Sequence, residues 1–191
     1  MRNANLHRKT LETDVSVGIC LDGGEKDIST GIGFFDHMLN SFAVHGGFGM
    51  KVTAKGDLNV DCHHTVEDTG IVLGKAFEAA LGDRAGIKRF GNCTIPMDES
   101  LAFASVDISG RPFLVFSADF KQEKVGSYDT CMTEEFMRAF AVNAGITLHT
   151  KVLYGVNAHH ETEAMFKAVA HALRDAVAPY GKSVLSAKGS L

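Results

Sequence analysis

Two stretches of this chain carry residue types and spacings that could do chemistry: His63-His64-Thr65-Val66-Glu67 and His159-His160-Glu161-Thr162-Glu163. Both read H-H-x-x-E, and they lie 96 residues apart in a chain of 191. Each opens a helix-like stretch, Val66 to Leu81 and Thr162 to Val177. Residues three apart share a helix face, so the spacing predicts that His64 points with Glu67 and His160 with Glu163. The histidine before each would approach from the helix entrance. Two imidazoles and a carboxylate converging on one point make a divalent-metal site. A single copy has an ordinary explanation, because Glu in a first helical turn favours the dipole and can serve in a capping box. Two copies at matched positions argue against it, since capping needs no pair of histidines.

Other residues extend the set. His37, in Phe35-Asp36-His37-Met38, would give the first half a third imidazole, and the corresponding place in the second half holds Glu135. Either has an ordinary reading as a solvated helix residue. Donor sets of this kind suit Mn, Fe, Co, Ni or Zn. Asp36 and Asp68 are candidates to orient the ligand imidazoles from behind. His45 and His149 are open to a structural or a functional reading, and His7 and His171 read as structural or surface residues. Arg89, Arg111, Lys167 and Lys188 are each ordinary solvated charges taken singly; together they could hold a phosphate beside the metals. Glu12 reads as the outward face of a strand.

The elements that must position these residues follow from periodicity. Thr10 to Leu21 alternates as a half-buried strand, and a second short strand is expected up to Ser29. Phe34 to His45 has helical spacing and ends at Gly46-Gly47. Phe48 to Ala54 reads as a strand and leads to the first H-H-x-x-E helix, after which Phe90 to Met97 is another strand. The second half replays this with strands over 99–109 and 112–118, a polar loop over 121–130, a helix over 131–144, a strand over 146–153 and the second H-H-x-x-E helix. Each half thus reads strand, strand, helix, strand, helix. The pattern is an internal duplication, with residues 1–91 and 92–191 as half-repeats of one compact α+β unit, each a small sheet with two helices. A net charge of −4 and singly spread basic residues speak against nucleic acid. No apolar run reaches the length of a membrane span, and MRNANLHRKT is not a signal peptide. Cys20, Cys62, Cys93 and Cys131 lack C-x-x-C spacing and read as reduced thiols of a cytoplasmic protein.

The stretches RKTLETDVSV, GIGFFDHML, DCHHTVEDTGIVLGKA, IPMDESLAF, DISGRPFL, TLHTKVLYG, NAHHETEAMFKA and SAKG run in order along nearly the whole chain. Through them the chain closely resembles the imidazoleglycerol-phosphate dehydratases of histidine biosynthesis, in the form without a fused phosphatase domain. The resemblance implies a duplicated fold like the second domain of ribosomal protein S5. It implies two Mn²⁺ per active site and a hollow homo-oligomer of twenty-four subunits, with sites at subunit contacts. Carried over by motif, the metal ligands are His37, His63, His64, Glu67, His159, His160 and Glu163. Glu135 stands where the family often has His, which makes it the candidate eighth ligand. Substrate contacts map to Glu12, His45, Arg89, Arg111, Lys167, Ser186 and Lys188.

The implied reaction takes imidazoleglycerol phosphate to imidazoleacetol phosphate and water. Its proton leaves an unactivated carbinol carbon. Two metals holding the ring as an imidazolate would let it expel hydroxide, through a diazafulvene-like intermediate whose neighbouring C–H is acidic. Glu163 or Glu67 would shuttle protons, Glu12 would orient the diol, and Lys167 would lie near it. Two rivals make different predictions. A dinuclear metal phosphate-ester hydrolase would release phosphate, and a non-enzymatic metal-binding module would turn nothing over.

Overall fold

A computed structural model describes residues 1–189 of the chain. The first half holds β1 (Asn3–Lys9), β2 (Thr13–Cys20), β3 (Lys26–Ser29), α1 (Gly33–Gly46), β4 (Gly49–Gly56) and α2 (His63–Leu81). The second holds β5 (Phe90–Met97), β6 (Ser100–Asp107), β7 (Phe113–Ser117), β8 (Lys124–Val125), β9 (Tyr128–Asp129), α3 (Met132–Ala144), β10 (Thr147–Tyr154) and α4 (Ala158–Ala176). Two four-stranded sheets result, ordered β1-β2-β4-β3 and β5-β6-β10-β7. In each, three strands pair antiparallel and the edge strand before the first helix pairs parallel. The mixed α+β architecture expected from the periodicity is the one observed.

Alternation decides which side of each sheet is buried. Val15, Val17 and Ile19 of β2 and Ala102, Ala104 and Val106 of β6 face the helices. α2 packs across β1 and β2, and α4 across β5 and β6; α3 then lies on α2, and α1 on α4. The helices therefore sit between the sheets. They are closely fitted: a Cβ on Gly70 would stand 2.9 Å from the Ala139 methyl, and one on Gly74 would stand 2.7 Å from the Phe140 carbonyl oxygen. Both α1 and α3 end at a left-handed glycine, Gly47 at φ 69° and Gly145 at φ 63°. No helix among the described residues is long and apolar enough to cross a membrane.

The structure differs from the periodicity reading in three respects. Each four-stranded sheet has three strands that precede its half's first helix rather than two: β1 is an addition in the first, and Phe90–Met97 occupies the matching place in the second. β1 is an edge strand with no buried residue, so its sequence NANLHRK shows little apolar alternation. The polar stretch 121–130 contains the short β8–β9 hairpin. Both H-H-x-x-E helices begin earlier than expected, which puts all four histidines inside their first turns.

Candidate metal centre

The early helix starts change which residues meet. His159 Nε2 lies 3.4 Å from Glu163 Oε2, and His63 Nε2 lies 3.6 Å from Glu67 Oε2. It is therefore the first histidine of each motif, four residues from the glutamate, that shares its face. The expectation that His64 joins Glu67 and His160 joins Glu163 is corrected. A separation of three or four residues is near-equivalent on an isolated helix, and surrounding partners select between them.

His37 comes from α1 to join the second motif, with Nε2 3.5 Å from Glu163 Oε2, so the expectation that it would give the first half a third imidazole is corrected. One ligand atom from each of His37, His159 and Glu163 lies within 4.8 Å of the others. Donors bound to one ion at about 2.1 Å can be at most about 4.2 Å apart, so a small contraction would close this set on a metal. Burial alone would raise the Glu163 carboxyl, but Lys167 at 2.8 Å and the charges of Lys167, His37 and His159 outweigh it and hold the group below its usual value. The ionised form is the one a metal needs.

On α2 and α3 the exchange is reciprocal: Glu135, expected to serve the second half, faces His63 of the first motif, and that expectation is corrected as well. Glu135 and His63 line the same surface hollow, with Thr130, Cys131 and Glu134. Glu135 stands ten residues before Gly145, as His37 stands ten before Gly47, so both enter at the same height of their helices. Arg138 pairs with Glu134 and lies 3.6 Å from Glu135.

His64 and His160 turn to carboxylates that the motifs did not single out. His64 Nδ1 lies 3.0 Å from Asp57, with Glu12 at 3.9 Å. His160 Nδ1 lies 2.7 Å from Glu99, and its Nε2 is 3.7 Å from exposed Asp98. The hydrogen bond to Asp57 raises His64, and that to Glu99 raises His160. Glu99 is lowered to about 2, first by His160. A carboxylate behind Nδ1 leaves Nε2 directed outward, which is how ligand imidazoles are commonly held. Glu99 could have been found by position, since it precedes β6 by one residue as Glu12 precedes β2. Asp36 and Asp68 do not play the orienting part expected of them. Asp36 accepts from Thr30 at the head of α1, and Asp68 is taken by Arg8 and Thr13.

A cationic cluster forms elsewhere, around Asp107. Arg89 makes a bidentate pair with Asp107 at 2.7 and 3.0 Å, and Arg111 lies 3.6 Å from the same carboxylate. Arg89 also donates to the Leu185 carbonyl at 2.7 Å, which brings up the segment with Ser186 and Lys188. The Arg89 backbone N–H bonds the carbonyl of Ala176, at the end of α4. About sixteen residues of α4 separate that point from His160, or roughly 24 Å at 1.5 Å per residue. Within one chain these cations do not meet the donors of His37, His159 and Glu163. Lys167 does, and His45 lies further along the same α1–α4 contact, paired with His171 at 3.2 Å.

Comparison with known proteins gives one result. A family model described as imidazoleglycerol-phosphate dehydratase matches residues 30–173. A dehydratase of that name from Clostridium botulinum is 58% identical, spanning 98% of this chain and 97% of its own. One from Methylorubrum populi is 55% identical over the full length of both. The crystal structure of the Staphylococcus aureus imidazoleglycerol-phosphate dehydratase superposes with a TM-score of 0.85 at 41% identity, covering 93% of this chain and 99% of that one. The enzyme from Pyrococcus furiosus, in complex with (S)-C348, also gives 0.85, at 39% identity over 97% of this chain and 100% of that one. Fold and length agree, and the chain belongs to the imidazoleglycerol-phosphate dehydratase family, a family of hydro-lyases.

Proposed function

We propose that this chain dehydrates imidazoleglycerol phosphate to imidazoleacetol phosphate in histidine biosynthesis, using two divalent metals per site, Mn²⁺ first among them. The observation that carries the metal reading is the convergence of His37, His159 and Glu163 within 4.8 Å, in a chain of this family. Bound at these donors, such ions would supply Lewis acidity to the two nitrogens of the substrate ring.

The chain's own residues have the remaining tasks. Glu163, held by Lys167 beside two imidazoles, is placed to carry a proton at its carboxylate oxygens. Glu67 has the same place beside His63, and Glu12, next to His64, would bond a diol hydroxyl. Arg89, Arg111, Ser186 and Lys188 would grip the phosphate, which fixes the far end of the substrate and positions the reacting carbons.

The roughly 24 Å of α4 that lie between His160 and the Ala176 carbonyl bonded by Arg89 support sites shared between copies. A small phosphate ester cannot span it, so the cations of one protomer would serve the metals of another. The outward Nε2 atoms of His64 and His160 suit ligation at a neighbour's cluster. Exposed Phe113, Val115 and Leu153 on the open face of the second sheet favour burial against further copies. The reading thus includes a homo-oligomer, with twenty-four subunits as its expected size.

The test is turnover of imidazoleglycerol phosphate by chelator-stripped protein with and without Mn²⁺. Ketone formed only with metal supports the reading. Phosphate release without ketone would replace it by the hydrolase, and no reaction with any divalent ion would remove the enzymatic reading.

A further inference from the structure

Beyond the metal donors, α1 and α4 share a second polar contact. His45 Nδ1 lies 3.2 Å from His171 Nε2, and His171 Nδ1 lies 2.8 Å from Nη2 of Arg174. A guanidinium only donates, so the Nδ1 of His171 accepts from Arg174. The proton of a neutral His171 then sits on Nε2, and that N–H donates to Nδ1 of His45. His45 is left with its own proton on Nε2. One obligate donor, Arg174, thereby sets the direction of the whole chain of bonds.

We propose that Arg174 and His171 are positioning residues that fix His45 as a neutral ring protonated on Nε2, so that it presents a hydrogen-bond donor to the anionic end of the substrate. This rests on the reading of His45 as a substrate contact given above. The opposite tautomer would aim a lone pair at the anion. Burial, then the charge of Lys167, pushes His45 below its usual value despite the opposing pull of Glu163; burial and then Arg174 do the same to His171. Both shifts favour the neutral rings that the relay uses. His171 looked like a structural or surface residue because nothing in its sequence neighbourhood marks a partner 126 residues away.

The relay is tested by ¹⁵N NMR of histidine-labelled, metal-free protein, with the His45 signals assigned by their loss in His45→Gln. In wild type, His45 should show a protonated Nε2 and a bare Nδ1. His171→Gln should keep that pattern, since an amide can accept from Arg174 and donate to His45. His171→Glu can only accept, so at about pH 9, where imidazoles are neutral, the His45 proton should move to Nδ1. In the Mn²⁺-loaded enzyme at that pH, His171→Glu should raise KM for imidazoleglycerol phosphate about tenfold, and His171→Gln should leave it near wild type. The kcat of both should stay within about twofold of wild type. A protonated Nδ1 on wild-type His45, or equal KM in the two variants, would overturn the proposal. Absence of wild-type turnover would overturn the substrate role alone, because the nitrogen pattern is read without substrate.

Discussion

His37 and Glu163 stand 126 residues apart in sequence and meet at 3.5 Å across the contact of α1 with α4. His45 and His171 repeat the same offset two turns further on, so the two helices run side by side in the same direction. Donors from both halves of the chain are thus fixed by one helix pair. His37→Ala should lower Mn²⁺ affinity about tenfold or more, measured by competition with a chelator. Glu163→Gln should still assemble and yet lose turnover, and near-normal turnover would reject its proton-carrying role.

Glu99 holds Nδ1 of His160 at 2.7 Å. In Glu99→Gln the ring loses its anionic partner, and Mn²⁺ affinity should fall about tenfold with the fold unchanged by circular dichroism. Unaltered affinity would mean that Glu99 only neutralises an exposed imidazole.

Glu135 takes the place on α3 that His37 takes on α1. Metal analysis should find about two Mn²⁺ per chain in wild type and in Glu135→His, and clearly fewer in Glu135→Ala. Full occupancy in the alanine variant would show that Arg138 is the only partner Glu135 needs.

Gly74 lets α2 approach the Phe140 carbonyl of α3. Gly74→Ala should destabilise the protein by about 1–3 kcal/mol in denaturant unfolding, through forced separation of the helices. Gly33, whose added Cβ would meet nothing within 4 Å, is the control, and Gly33→Ala should be close to neutral.

Arg2 ties the first strand down through two bonds to Asp22 Oδ1, at 2.7 and 3.0 Å, and one to the Val177 carbonyl. The side-chain and backbone bonds from Arg2 hold the Asp22 carboxyl below its usual value. A depressed carboxylate stabilises above its unfolded pKa, and the effect is lost as pH falls through the lower folded value. Asp22→Asn should therefore lower Tm by roughly 1–3 °C at neutral pH, and the difference should vanish in strong acid. A difference that persists there would have another cause than ionisation.

The donor residues were legible because two histidines and a glutamate at fixed spacing, present twice, are hard to explain by packing. The sheets were legible where burial enforces alternation, as in β2 and β6. Edge strand β1 escaped because nothing buries it. Helical spacing alone left His63 and His64 equivalent as partners of Glu67, and Asp57 decides between them from a turn outside the motif. Asp36 adjoins His37 and Asp68 adjoins Glu67 in sequence, but they are spent on Thr30, Arg8 and Thr13. Motif order also could not reveal that Arg89 and His160 occupy opposite ends of one helix.

That separation along α4 has a genetic consequence. If each working site joins the metal donors of one protomer to the cations of another, two defective alleles can repair each other. A cell making both Glu163→Gln and Arg89→Ala chains would build mixed particles in which some sites pair an intact donor set with an intact cation set. Growth without histidine would then return in the cell that carries both alleles, although neither supports it alone. An enzyme with self-contained protomers would show no such rescue.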